Sequence, residues 1–168
     1  MDNGLLVARV VLGGLMAAHG SQKLFGWFGG YGLAGTGAFM ETLGFRPGRF
    51  FAAVASTGEV VSGVLVVLGL FGPVGPAIML SVMIVAAVSV HWRHGVFAMS
   101  NGIEIPLLYA TGAAALALTG PGRYSLDGVF GLAALWTPGL DWIALGAGIA
   151  GAVASLSIRR VSPSAVTA

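Results

Sequence analysis

No cysteine occurs in the 168 residues, so the chain can form no disulfide, no thiolate metal site and no dithiol relay of its own. Redox chemistry would have to be borrowed from another molecule. Charge is the second scarcity: Asp, Glu, Lys and Arg make up 8% of the residues, where soluble domains carry roughly 25%. So few charges cannot cover a soluble globule. A chain solvated by lipid, in contrast, needs charge only at the ends and loops of its spans. Hydrophobic residues at 57% and a mean hydropathy of +0.92 point the same way, to a membrane protein of one domain. The eight basic residues are scattered, and the net charge is only +2, which excludes nucleic acid as a partner. A positive segment ahead of the first apolar run is also missing, and that run contains Arg9. No cleavable signal is therefore expected.

What is present is a series of runs near the roughly 20 apolar residues that a spanning helix needs. They cover residues 4–24, 50–71, 76–94 and 104–120, with a further one at 140–158 that ends in Arg159 and Arg160. Proline marks their boundaries: Pro73 and Pro76 before the third, Pro106 in the first turn of the fourth, Pro121 after it and Pro138 before the fifth. The expected fold is all-α, a polytopic membrane four-helix bundle over residues 1–128. Residues 129–168 form an extension with a fifth, C-terminal transmembrane helix and a short cytoplasmic tail. Between the first two spans, Thr36 is expected to cap a short helix over residues 37–43 that ends at Gly44. That helix would lie on the membrane surface or fold back as a lid.

Orientation follows from basic residues near span ends. Lys23, Arg46, Arg49, Arg93, Arg159 and Arg160 all fall on one side if there are five spans. That side should be the cytoplasm of a bacterial plasma membrane, with the N-terminus and the "GPGRYSLD" loop outside. Trp27, Phe28 and Trp92 fit an aromatic belt.

The first span carries Arg9, His19 and Lys23. At about 100° per residue, Lys23 lies about 40° and His19 about 80° from Arg9, so the three share one stripe with Leu5, Leu12 and Met16. A charge facing lipid costs at least a few kcal/mol. The stripe should therefore face the bundle interior, and Glu59, near the middle of the second span, is the expected partner of Arg9, with His19 as a second. A second cluster gathers His19, Lys23, the "HWRH" of His91, Trp92, Arg93 and His94, and Glu104. Lys23 would pair with Glu104 if these groups only set helix register. His91 and His94 stand three residues apart but lack a third ligand at fixed spacing, so no metal site is expected. There is no haem, flavin or dinucleotide motif either.

The run "ARVVLGGLMAAHGSQKLFGWFGG", followed by "GTGAFMETLG", "GEVVSGVLVVLGL", "GIEIPLLYA" and "GPGRYSLD", resembles the DoxX family of small bacterial membrane proteins. The resemblance implies a four-helix membrane protein. It also links the chain to the small membrane subunits of thiosulfate:quinone oxidoreductase and to oxidative-stress assemblies. The positions it matches are Arg9, His19, Lys23, Glu59 and Glu104, the same residues that membrane energetics selects. The stretch from Gly128 onward exceeds that pattern.

Three functions stay open on these grounds. The first is a membrane subunit that binds a quinone from the lipid and works with a soluble oxidoreductase partner. Arg9, His19 and Lys23 would donate to its carbonyls, Glu59 and Glu104 would relay protons, and Phe25, Trp27, Met16 and Trp92 would form the walls, beside His91. The second is a transporter or channel for a small solute or proton. The third is a scaffold without chemistry for an oxidative-stress complex. Its docking or homo-oligomer surfaces would be the small-residue faces of the fifth span, Ala147 with Gly151 and Gly148 with Ala152.

Overall fold

A computed structural model describes residues 2–160. Among them the chain is all-α. The helices are α1 (Asp2–Phe25), α2 (Gly32–Thr42), α3 (Gly48–Leu68), α4 (Val74–Ala86), α5 (Glu104–Thr119), the single turn α6 (Leu126–Val129) and α7 (Pro138–Ser157). The helical path of α4 runs on through a widened turn, Ala87–His91, and a tightened one, Trp92–His94. Among the described residues four helices, α1, α3, α4 carried on to His94, and α7, are long and apolar enough to cross a bilayer. The helix at 140–158, richest in glycine and alanine, is one of them. The run expected at 104–120 forms the shorter apolar helix α5, whose 16 residues give about 24 Å of helix against a hydrocarbon core of about 30 Å. It still joins the two ends of the bundle. The Glu104 N–H bonds the Val96 carbonyl just past α4, and past its other end the Arg123 N–H donates to the Asp2 carboxylate.

Glycines set how the helices meet. A Cβ on Gly13 would lie 2.6 Å from the Gly63 carbonyl oxygen, and one on Gly20 would lie 2.7 Å from that of Ser56. So α1 and α3 run antiparallel in backbone contact, which in lipid takes the place of a hydrophobic driving force. Central α4 packs against α3, α5 and α7. Met16, Val66, Met79, Met83, Tyr109, Ala113 and Leu116 form the core around it. The Gly148 and Ala152 face of α7 is spent within the chain: Ala152 is fully buried, and a Cβ on Gly148 would lie 2.5 Å from the Ala77 carbonyl oxygen. Outward-facing Val7, Val11, Leu15, Val61, Val64, Leu108, Ile143 and Val153 stay exposed, as a surface solvated by lipid allows.

One expectation needs correction here. Thr36 does not cap the short helix, because α2 begins at Gly32 and the buried Thr36 hydroxyl instead donates to the Lys23 carbonyl at 3.3 Å. The helix does stop before Gly44, whose φ is +92°. It lies against α3 and α1, and the Glu41 carboxylate accepts the Gly48 N–H, 3.1 Å away, at the start of α3.

The bundle has a basic end and an aspartate end. At the basic end the Arg160 N–H reaches the Gly44 carbonyl at 2.9 Å, Arg159 Nε donates to the Leu43 carbonyl, and Lys23, Arg46, Arg49 and Arg93 lie at or beside the neighbouring helix ends. The opposite end gathers Asp2, Arg9, Arg123, Asp127 and Asp141.

Candidate intramembrane polar site

Glu59 has no exposed surface, and its environment follows from the stagger of α1 and α3. The glycine contacts set residue 20 opposite residues 56 to 60, so Glu59 lies level with His19 and Gly20. Lys23, one turn nearer the basic end, bends its long stem back, and its ammonium pairs with Glu59 Oε1. The Lys23 side chain remains about a third exposed, at 35%, which softens its desolvation. Glu59 Oε2 is buried without a hydrogen-bond partner. Tyr109 on α5, itself buried, lies within electrostatic reach of this carboxylate. The ring of His19 stands edge-on to that of Tyr109, with centroids 6.1 Å apart. His19 does not face the interior as its stripe predicts; it is exposed at the bundle flank. His19, Tyr109, Glu59 and Lys23 thus form a polar series that leads from the lipid-facing flank to a buried carboxylate.

Arg9 does not meet Glu59. It lies ten residues along α1 from the level of Glu59, about 15 Å. Glu59 does lie near the middle of its span, but the midpoint of α1 lies opposite residues 63 to 67 rather than the midpoint of α3, which leaves Arg9 out of reach. Arg9 instead donates to the carbonyls of Pro121, Val67 and Tyr124, the last two at 3.2 and 2.7 Å. The charge facing it is Asp127, also fully buried. Asp127 accepts the backbone N–H groups of Phe71 (2.9 Å) and Gly72 (2.6 Å) and the indole N–H of Trp136 (2.9 Å). Phe71 and Gly72 both have left-handed backbone, at φ +61° and +49°, and successive N–H groups in such a turn form an anion-binding concavity. Arg9 and Asp127 therefore lock the α3–α4 turn to the 120–128 loop.

Glu104 does not pair with Lys23 either. Its carboxylate accepts the Ala98 N–H at 2.7 Å and closes the loop that leads into α5, where a negative charge suits the helix N-terminus. His91 Nδ1 bonds the Asn101 carbonyl at 2.7 Å, and His94 Nδ1 the Val90 carbonyl at 3.0 Å. Both serve the same turn-and-loop segment. Among the described residues no group of three His, Cys, Asp or Glu could hold a metal. The expected aromatic walls do not converge: Met16 is in the core, Trp27 and Trp92 are exposed, and Phe25 packs on Trp27 with centroids 4.9 Å apart.

A family model described as DoxX matches residues 4–92, just over half of the 168. The chain belongs to the DoxX family. No curated protein matches it, and no solved structure does. It is a multi-pass membrane protein.

The DoxX match includes Arg9, His19, Lys23 and Glu59 but stops before Glu104, Tyr109 and Asp127. Residue-by-residue reading of this DoxX chain passes over Tyr109, which sits in "GIEIPLLYA" as one apolar-looking residue among many. A phenol inside a span, with a hydroxyl that seeks a partner, is the signal that could single it out. Asp127 and Trp136 are harder to find, because only the folded loops bring them together.

Proposed function

We propose that this DoxX protein is a membrane subunit that binds a lipophilic quinone or quinol at His19, Tyr109, Lys23 and Glu59 and works with a soluble oxidoreductase. The observation that carries this reading is the buried, unpartnered Oε2 of Glu59 at the end of a polar series that begins on the lipid-facing flank. An orphan carboxylate oxygen is an acceptor that calls for a donor. A quinol hydroxyl supplies one, and a quinone carbonyl can accept from Lys23 or His19. The remaining requirement is an apolar body able to arrive through lipid. When bound, such a molecule supplies two-electron redox chemistry. This chain's own residues hold its head group and take up or release a proton at Glu59. Electrons would pass to or from the partner, since the chain has no cysteine to hold a thiolate-bound centre.

The experiment is titration of a short-chain quinol analogue into the purified protein, read as thermal stabilisation. Glu59→Gln and Tyr109→Phe should each weaken binding at least about tenfold, as expected for lost hydrogen bonds to a charged or buried group. Equal stabilisation of wild type and both variants would sink the reading. We further assign the basic end to the cytoplasm and the N-terminus to the outside on the charge rule. Reporters fused after Arg160 and at Asp2 should then read inside and outside.

A further inference from the structure

A cleft of about 500 Å³ opens on the flank of the bundle, over α4 between α3 and α7. Its walls include Val54 and Gly58 of α3, Ile78 and Val82 of α4, and Ala147 and Ser155 of α7, while Met40 and Phe45 lie at its basic end. No carboxylate lines it. Between Ala144 and Ser155 it follows α7 for about 17 Å, just over half of the roughly 30 Å hydrocarbon core. That is the depth of one leaflet, measured from the basic end.

Charge gathers at that mouth. The Arg159 guanidinium lies 5.8 Å from the centre of the Phe45 ring, with Nε on the Leu43 carbonyl. Burial, and then the nearby charge of Arg93, hold its pKa below the usual arginine range. A guanidinium held over the basic end of an apolar channel one leaflet deep suits an anion that has an apolar tail. A second copy of this chain in the same membrane orientation would set its own basic end at the same depth, so charge complementarity disfavours it.

We propose that this cleft holds an acyl chain of an anionic phospholipid, with the phosphate at Arg159. The site does not depend on the quinone reading. It occupies a face of α3 about a quarter turn away from Glu59.

The test is native mass spectrometry of the full chain in detergent with phosphatidylglycerol or phosphatidylcholine of identical acyl chains. The wild type should retain phosphatidylglycerol about fivefold better, the preference that one basic residue near a membrane surface provides. Arg159→Gln should lower retention to the phosphatidylcholine level. Ala147→Phe, which fills the cleft, should reduce both lipids. If Arg159→Gln fails to fold, the wild-type preference is read at rising salt, where it should shrink toward equality. Equal retention of the two lipids by the wild type at low salt overturns the proposal, as does unchanged retention by Ala147→Phe. A two-chain mass that Ala147→Phe converts to one chain, with no change in lipid, would assign the cleft to a second copy instead.

Discussion

Asp127 and Glu59 are both carboxylates with no exposed surface, yet the bundle treats them differently. Asp127 accepts three N–H bonds and faces Arg9, whereas Glu59 has Lys23 on one oxygen and nothing on the other. In a low-dielectric interior a carboxylate with donors on both oxygens, as at Asp127, specifies how loops close, and one with an orphan oxygen is costly unless something else completes it. At the aspartate end the unpartnered atom is Arg9 Nε, not a carboxylate oxygen. Under the proposed function, the aspartate end serves structure and the Glu59 level serves exchange. The partners differ in the same sense. Arg9 is almost entirely buried among carbonyls, while Lys23 keeps about a third of its side chain exposed and can turn outward when its partner is lost.

The comparison breaks most sharply at Asp127. Asp127→Ala should cost about 3 to 5 kcal/mol, because it leaves the Arg9 charge buried without its counter-ion, and thermal unfolding in detergent measures this. Trp136→Phe, which removes one donor to that carboxylate, should cost about 2 kcal/mol in the same assay. Glu59→Gln should cost about 1 kcal/mol or less, since Lys23 can reach the interface, while the proposed quinol binding weakens at least about tenfold. A loss at Glu59 as large as that at Asp127 would erase the distinction between the two sites. The finest test is a double-variant cycle: the losses in Arg9→Met and Glu59→Gln should add to within about 0.5 kcal/mol, because the residues share no partner.

Much of the fold is legible in the sequence because lipid imposes length and polarity on every span. The runs at 4–24 and 140–158 needed only counting, and they appear as Asp2–Phe25 and Pro138–Ser157. The site is legible as a list but not as a set of pairs. His19, Lys23 and Glu59 are conspicuous because ionisable groups inside spans are expensive. Whether Arg9 or Lys23 meets Glu59 depends on a stagger between two helices, here about two turns from the alignment of their midpoints. Thr36 shows the same limit on a smaller scale. Its hydroxyl is a competent cap, but the carbonyl of Lys23 offers it a tertiary partner instead.

The sequence by itself determined that this is a membrane bundle, where its spans lie, and that six of its eight basic residues fall at one end, since each of these depends on composition along the chain. Only the tertiary structure decided that Arg9 answers Asp127, that Lys23 answers Glu59, and that Tyr109 joins His19 to the site. The physical reason is that Gly13, Gly20 and Gly63 let α1 and α3 approach to backbone contact. The register of that contact, which no single helix encodes, sets which charges share a depth.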